Sequence, residues 1–240
     1  MYSIKTKKLT KKFKDKVAVD GIDLQIKNGE LFALLGRNGA GKTTTIKMLS
    51  GLILPTFGDI EIENMDIKKD IFKIKEILNV SPQETAIAPN LTVKENLDFM
   101  AGVYQINNKE EKINELIKKF KLEEILNKRA KTLSGGWQRR LSIAISLINE
   151  PKILFLDEPT LGLDVIARKE LWKVINELKG KITIILTTHY MEEAESLADR
   201  IGIMANGKLV DVGTSKELIK KTKTNNFEDA FVSIATGGEL

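Results

Sequence analysis

Two glycine-rich turns, each placed to open a helix, carry the clearest chemistry in this sequence. The first is residues 36–44 (GRNGAGKTT) and the second is residues 133–136 (LSGG). The start of a helix presents unpaired backbone N–H groups and the positive end of the helix dipole, so each turn is suited to bind an anion. Only the first turn carries a lysine. The sequence therefore indicates one complete phosphate cradle and one incomplete cradle, and the second is suited to the nucleotide of a neighbouring chain.

The first turn has the residue types that a phosphate cradle needs, in the required order. It lies between an apolar run, residues 31–35 (LFALL), and a predicted helix over residues 43–50. Lys42 supplies a positive charge between the β- and γ-phosphates, and the hydroxyl of Thr43 is placed to bind Mg²⁺. The alternative, a chance glycine turn, does not account for strand, lysine and threonine in register. The predicted nucleotide-contacting residues are Gly36, Arg37, Asn38, Gly39, Ala40, Gly41, Lys42, Thr43 and Thr44.

Two carboxylates follow a second apolar run, residues 153–156 (ILFL). Open α/β sheets bind ligands at the carboxyl ends of their strands, which is where these acids would lie. Asp157 is suited to bind Mg²⁺, and Glu158 is suited to polarise an attacking water, a contribution of typically ~10² to 10⁴ in rate. The alternative is a pair of helix-capping acids before Pro159.

Three further side chains are candidates with weaker signals. His189, the single histidine, follows the apolar run 182–186 and is suited to contact the γ-phosphate or the attacking water, although a lone histidine is often structural. Gln83 is suited to contact Mg²⁺ and water, and the alternative is an ordinary turn glutamine. Phe13 is suited to stack on an adenine ring, and the alternative is an edge-strand core residue.

Composition excludes several classes of chemistry. With no cysteine and one histidine, disulfides, thiolate catalysis and multi-histidine metal sites are excluded. The formal net charge of +5 is spread along amphipathic segments, which favours a solvated lysine-rich surface over a nucleic-acid or membrane face. No signal-type or membrane-spanning apolar stretch is evident, so we expect a cytoplasmic protein.

Apolar runs without polar alternation predict the central strands of a parallel sheet that is covered on both faces. The first thirty residues and residues 58–62 alternate and predict an antiparallel edge sheet. Residues 200–205 and 208–212, joined by Asn206-Gly207, predict a hairpin. The predicted central strands are residues 31–35, 153–156 and 182–186.

Between residues 91 and 150 the strand patterns disappear, and helices are predicted over 92–104, 109–120 and 135–149. The predicted fold class is therefore α/β: a P-loop NTPase core with a mostly parallel sheet flanked by helices, an N-terminal antiparallel β subdomain and an inserted α-helical subdomain. The predicted parts are 1–90 and 151–222 for the core with the antiparallel subdomain, 91–150 for the helical subdomain, and 223–240 for a short C-terminal tail.

Taken together, these residues resemble the nucleotide-binding subunit of an ATP-binding cassette (ABC) transporter. The resemblance covers nearly all of residues 4–235, and the LSGG block separates this family from other P-loop proteins. By this resemblance, residues 36–44 are similar to the Walker A motif, residues 153–158 to Walker B with its catalytic glutamate, Gln83 to the Q-loop, residues 161–164 to the D-loop, His189 to the switch histidine and Phe13 to the A-loop aromatic.

The resemblance implies that two cassettes pack head to tail and that ATP and Mg²⁺ are the ligands. Ser134, Gly135, Gly136 and Asp164 would then contact the nucleotide held by the other cassette. One position departs from the family pattern, because Trp137 stands where a glutamine is usual and Gln138 comes one residue later. That departure leaves the contacts of the fifth signature position open.

The resemblance further implies an ATPase that powers a transporter, with a second cassette (an identical chain or a paralogue) and a separate transmembrane permease as partners. Residues 83–104 are candidates for the cleft where a permease helix docks, or for subdomain core. The amino-acid sequence of this segment is similar to that of cassettes from exporters of the drug, antibiotic or lipid type. We expect a location on the cytoplasmic face of the cell membrane and no nucleic-acid partner. The alternative function is a non-transport ABC ATPase that acts on nucleic acid or ribosomes.

Overall fold

The computed structural model describes residues 1–237 and contains two β-sheets together with α-helices. The strands are β1 (Tyr2–Phe13), β2 (Lys16–Lys27), β3 (Leu31–Leu35), β4 (Phe57–Ile62), β5 (Met65–Asp66), β6 (Leu78–Ser81), β7 (Ile153–Asp157), β8 (Thr183–Thr188), β9 (Arg200–Ala205) and β10 (Lys208–Gly213). The helices are α1 (Lys42–Leu49), α2 (Ile71–Ile77), α3 (Val93–Val103), α4 (Lys109–Phe120), α5 (Gly135–Ser146), α6 (Val165–Leu178), α7 (Met191–Leu197), α8 (Ser215–Thr222) and α9 (Phe227–Thr236).

The larger sheet has six strands in the order β10-β9-β3-β8-β7-β6, and only the edge strand β10 runs antiparallel to its neighbour. Its central strands are buried on both faces, and successive residues enter different cores because side chains alternate across a strand. In β3, Leu31, Ala33 and Leu35 pack into one core, whereas Phe32 and Leu34 pack into the other. The unbroken apolar runs in the sequence follow from this two-sided burial.

A smaller antiparallel sheet, in the order β2-β1-β4-β5, covers one face of the larger sheet together with α1 and α2. Its inward residues, such as Ile4, Ile22 and Ile60, share a core with Phe32 and Phe155 of the larger sheet. This contact explains the alternating pattern of the first thirty residues, since only one face of the small sheet is buried.

Helices α3, α4 and α5 follow one another without an intervening strand and pack on the opposite face of the larger sheet. A capping box at Thr92 and Glu95 starts α3. Helix α4 packs on the core through its buried apolar residues, Ile113, Leu116, Ile117 and Phe120. Within residues 1–237 no helix combines the length and hydropathy needed to cross a membrane.

The predicted elements agree closely with the structure. The strand predicted at residues 31–35 has these bounds, and the hairpin at Asn206-Gly207 is present between β9 and β10. The helix predicted to end at Asn149 stops at Ser146, because the next residues form a turn in which Leu147 caps the helix. The division into subdomains stays a prediction, and residues 238–240 of the predicted tail lie outside the described residues.

A fully buried acid ties α7 to the segment that follows β7. Glu193 Oε1 accepts hydrogen bonds from the Thr160 hydroxyl, at 2.8 Å, and from the Trp172 indole, at 3.0 Å. Within residues 1–237, Glu193 Oε2 has no hydrogen-bond partner. Burial raises the pKa of Glu193 above its ordinary value, although neighbouring hydroxyl and indole donors and the charge of Arg168 oppose that effect.

A substitution of Glu193 by glutamine should flatten the pH dependence of stability. Because the folded pKa is raised, the stabilising contribution is complete below the unfolded pKa, near 4.5, and is lost as the pH rises towards the folded pKa. The parent protein should lose up to about 1.4 kcal/mol of unfolding free energy per pH unit relative to Glu193→Gln, the value for one proton. Urea denaturation between about pH 5 and 8 measures the difference.

The matched control is Glu192→Gln, which changes the exposed neighbouring acid on the same helix. Its stability should follow the pH profile of the parent. Identical profiles for the parent and Glu193→Gln would show that the buried acid does not titrate abnormally.

Candidate functional site

Four parallel strands bring the predicted site residues to one edge of the larger sheet. Leu35 of β3 pairs with Thr188 of β8, and Thr187 pairs with Asp157 of β7. Leu156 pairs with Ser81 of β6. The loops that begin at residues 36, 82, 158 and 189 therefore start side by side, at the carboxyl edge where α/β sheets bind ligands.

The turn between β3 and α1 is tightly enclosed by backbone. Gly41 has φ 103°, and a Cβ at this position would lie 2.6 Å from the carbonyl oxygen of Ala18. A Cβ on Gly36 would collide with the carbonyl oxygen of Met204. Glycine is required at both positions, because a side chain would displace the strand or the hairpin that supports the turn.

Lys42 is buried, with 4% of its surface exposed, and points back into the turn. Its ammonium donates hydrogen bonds to the carbonyl oxygens of Gly36, at 2.8 Å, and Arg37, at 3.3 Å. The same nitrogen lies 3.3 Å from Glu158 Oε1. A phosphate oxygen bound in the turn would compete for this ammonium with two carbonyls and one carboxylate.

Glu158 contacts both Lys42 and His189, the two side chains predicted to act at the terminal phosphate. Its Oε1 faces Lys42, and its Oε2 lies 3.1 Å from Nδ1 of His189. The backbone of Glu158 is in the left-handed region, with φ 48°, and its N–H donates to the carbonyl and hydroxyl oxygens of Thr187. These bonds direct the carboxylate out of the strand and towards the glycine turn.

Oxygen donors suited to Mg²⁺ meet beside this cluster. The Thr43 hydroxyl donates to Asp157 Oδ1 at 3.1 Å, and the Thr187 hydroxyl donates to the same oxygen. A hydroxyl and a carboxylate are hard ligands of the kind that Mg²⁺ prefers. Within residues 1–237 no group of three or more acids or histidines is arranged to hold a metal alone. The chemistry of the Thr43 and Asp157 oxygens is therefore suited to Mg²⁺.

A cavity of about 350 Å³ opens beside Lys42, Thr43 and Glu158. Gln83 is exposed and lines this cavity, and its contact with metal and water stays a prediction. Phe13 does not line it, but it pairs across the β1–β2 hairpin with Lys16, which does. Stacking of Phe13 on adenine stays a prediction. The lining residues are Lys16, Ala18, Asn38, Gly39, Gly41, Lys42, Thr43, Thr44, Gln83, Glu158 and Leu161.

Arg37 and Ala40, predicted to contact the nucleotide, lie on the other side of the glycine turn. Together with Asn38 and Gly39 they line a separate cavity against the β9–β10 hairpin and Ala235 of α9. The backbone carbonyl of Arg37 accepts hydrogen bonds from Lys42 and from the N–H of Ala40. The contribution of these two residues in this structure is to the shape of the turn.

The second glycine turn lies in a separate cavity from the first. Ser134 is the N-cap of α5, and with Gly136 it lines a cavity of about 360 Å³ beside Asp164. Gly135 is exposed in the first turn of the helix. The structure thus brings the predicted trans-acting residues together and leaves them apart from Lys42 of the same chain.

Asp164 has a local function besides the predicted contact with a second nucleotide. Its carboxylate accepts hydrogen bonds from the N–H groups of Ile166 and Ala167, at 2.9 Å each, and so caps α6. An aspartate followed by a helical pattern is the signal that predicts such a cap. A contact of Asp164 with a second nucleotide stays a prediction.

Trp137 occupies the fifth signature position, and Gln138 does not replace it. The Gln138 amide donates to the carbonyl oxygens of Ala130 and Leu133, whereas Trp137 lines the cavity with Ser134. The guanidinium of Arg140 lies 4.7 Å from the Trp137 ring centroid and pairs with Glu170 of α6. The tryptophan is therefore part of the surface that the second glycine turn presents.

Two residues of the site were missed by sequence reasoning. Thr187 holds both Asp157 and the backbone of Glu158, and the one sequence signal for it is a threonine near the end of a buried strand, two residues before His189. Arg139 donates to the carbonyl oxygens of Pro82, at 2.6 Å, and Gln83, at 2.5 Å. No local pattern indicates a contact between residues so far apart in sequence.

The fold and the site define a P-loop nucleotide-binding protein with a second helix-opening glycine turn. The family described as ABC transporter matches residues 19–161, which is more than half of the chain. The chain therefore belongs to the ABC transporter family. This membership confirms the predicted resemblance and the predicted fold class of an ATP-binding cassette ATPase.

Two relatives illustrate the breadth of the family around this chain. The probable multidrug ABC transporter ATP-binding protein YbhF of Escherichia coli (strain K12) is 41% identical over 239 residues, covering 96% of this chain and 41% of YbhF. The phospholipid-transporting ATPase ABCA3 of Homo sapiens is 43% identical over 224 residues, covering 91% of this chain and 13% of ABCA3. The chain thus spans less than half the length of either relative.

Solved structures of the family share the fold. An ATP-binding subunit of an ABC transporter superposes with a TM-score of 0.86 at 28% identity, over 96% of this chain and 98% of that subunit. The dimeric cassette MJ0796, in a post-hydrolysis state bound to ADP and Pi, superposes with a TM-score of 0.79 at 27% identity, over 88% of this chain and 98% of the other.

Substitution of Lys42 by alanine should weaken ATP binding without unfolding the chain. The substitution removes a charge-assisted hydrogen-bond donor to phosphate, so the Kd should rise at least about tenfold. Calorimetric titration with ATP measures the affinity, and circular dichroism checks the fold.

Lys47→Ala is the matched control, because Lys47 is an exposed lysine on the same helix. It should bind ATP like the parent. A Lys42→Ala protein that binds ATP with parental affinity would contradict the assignment of the phosphate cradle.

Proposed function

We propose that this chain hydrolyses ATP with Mg²⁺ and that paired cassettes use the hydrolysis to drive a transmembrane transporter. The observation that carries the proposal is the linked cluster of Lys42, Glu158 and His189, with Thr43 and Asp157 beside it. The cluster contains a cation for phosphate, a carboxylate for water and two metal donors at one edge of the sheet.

Each side chain of the cluster has a position that fits one step of hydrolysis. The Glu158 carboxylate is directed into the cavity and can polarise a water, while His189, bound to its other oxygen, holds it in orientation. Lys42 can move from the Glu158 carboxylate to the terminal phosphate and stabilise the charge that develops there. The approach of phosphate would then free the Glu158 carboxylate to polarise the attacking water.

The site fits a magnesium ion held by Thr43, Asp157 and Gln83. The first two side chains already share a hydrogen bond, and Gln83 lines the same cavity. Bound Mg²⁺ would neutralise phosphate charge and orient the phosphoryl group. The protein's own contribution is to hold Asp157 Oδ1 between the hydroxyls of Thr187 and Thr43, the second of which lines the cavity.

Pairing of two cassettes would complete each site. Ser134 and Gly136 form an anion-binding helix start that has no lysine, in a cavity separate from that of Lys42. A helix-dipole contact contributes only about 0.3–2 kcal/mol, whereas micromolar association needs about 8 kcal/mol. ATP held between the two chains would therefore supply much of the adhesion, and hydrolysis would release it. The dimeric MJ0796 structure supports this arrangement.

We infer that the transporter is an exporter of hydrophobic or amphipathic compounds. This inference is supported by the names of two relatives, a probable multidrug ABC transporter ATP-binding protein and a phospholipid-transporting ATPase. A membrane partner is supported by another neighbour, cbiO1, which is part of the transporter complex cbiONQ and superposes with a TM-score of 0.82.

The segment predicted for permease docking is partly core. Val93 and Leu97 are fully buried and face the interior, so they do not form a docking surface. Phe99, Val103 and Tyr104 are exposed on α3 and at its end. These three side chains are the part of the segment that is available to a membrane partner.

Substitution of Glu158 by glutamine should keep ATP binding, abolish turnover and trap a dimer. The amide cannot accept the water proton, so hydrolysis should fall by about 10² or more. Gel filtration with Mg²⁺ and ATP should show the dimer, which the parent forms only briefly. A phosphate-release assay measures the turnover.

The matched control is Glu177→Gln, an exposed acid far along α6. It should hydrolyse ATP like the parent and show no trapped dimer. Parental hydrolysis by Glu158→Gln, or a variant that stays monomeric at saturating ATP, would sink the proposal.

A further inference from the structure

A buried arginine connects the second glycine turn to the loop that carries Gln83. Arg139 lies in the second turn of α5, the helix that Ser134 opens, and 5% of its surface is exposed. Its two terminal nitrogens donate to the carbonyl oxygens of Pro82, at 2.6 Å, and Gln83, at 2.5 Å. One guanidinium thus holds two successive peptide units of the loop after β6.

The charge of Arg139 is compensated by this loop and not by an acid. Among residues 1–237, no carboxylate lies within ion-pair distance of its guanidinium. Burial lowers the pKa of Arg139 from its ordinary value, and the negative charge of Asp157 opposes that effect. A buried cation without its two carbonyl partners would be strongly destabilised, so helix and loop are expected to keep this contact.

A second contact from the same helix fixes the origin of the loop. Ser142, three residues beyond Arg139, shares a hydrogen bond of 3.2 Å with Ser81 at the end of β6. Ser142 anchors the strand end, whereas Arg139 holds the residues that follow it. Gln83 itself points elsewhere: it is exposed and lines the cavity with Lys42 and Thr43.

We propose that Arg139 is a positioning residue for Gln83, holding the backbone of its loop so that the amide side chain is presented to the metal and phosphate groups in the nucleotide cavity. The inference rests on the proposed function. The planar fork of arginine matters here, because two terminal nitrogens held in one plane fix the relative orientation of two successive carbonyls, whereas the single ammonium nitrogen of a lysine does not impose that geometry.

The test compares Arg139→Lys, Gln83→Ala and the double variant in Mg²⁺-dependent ATP hydrolysis. Arg139→Lys should lower kcat about tenfold, the effect of losing one charge-assisted hydrogen bond. It should raise the Mg²⁺ concentration for half-maximal activity and leave the Kd of ATP unchanged within about twofold. Because Arg139 acts through Gln83, the double variant should match Gln83→Ala within about twofold in kcat.

Two further variants separate positioning from stability. Arg129→Lys changes an exposed arginine and should behave like the parent. If Arg139→Lys does not fold, Arg139→Gln, which buries no charge, replaces it under the same criteria.

The inference is overturned if the Arg139 variant retains the parental kcat, or if its effect multiplies with that of Gln83→Ala. Failure of the proposed function has a different signature, since the parent protein itself would then show no Mg²⁺-dependent ATP hydrolysis. If the parent hydrolyses ATP but the effects of the Arg139 and Gln83 substitutions on kcat multiply, only the proposed role of Arg139 is contradicted.

Discussion

The register of four parallel strands is the constraint on which the site depends. Strands β3, β8, β7 and β6 pair so that their carboxyl ends stop at one edge, and four loops from distant parts of the sequence begin there. A shift of one residue in any pair would turn the strand-end side chains to the other face. Burial on both faces of the sheet protects the register, because each strand is packed from two sides.

Near this edge, buried charged side chains are hydrogen-bonded largely to backbone carbonyls and side-chain hydroxyls. Lys42 and Arg139 both donate to loop carbonyls, and Asp157 accepts from the hydroxyls of Thr43 and Thr187. Such contacts satisfy a buried charge without pairing it permanently with an opposite one. Lys42 can therefore be drawn to phosphate, since its carbonyl bonds and its contact to Glu158 are exchangeable.

Sequence reasoning predicted well the parts of the site that are local. The strand, glycine turn and lysine of the cradle adjoin each other in the chain, and Asp157 and Glu158 follow their strand directly. Contacts between distant segments were not predictable. The clamp of Arg139 on the Gln83 loop, the hold of Thr187 on Asp157 and the contact of Glu158 with Lys42 depend on strand pairing and side-chain direction, which residue spacing does not specify.

The sequence by itself determined the family, the fold class, the two helix-opening turns and the residue types available at the sheet edge, because these follow from hydrophobic periodicity and from short motifs. Only the tertiary structure decided which groups meet. Glu158 stands between Lys42 and His189, and the two glycine turns of one chain lie in separate cavities. The physical reason is that strand pairing and packing on two faces set the distances between remote segments. The local sequence pattern sets only which residue types each segment contains.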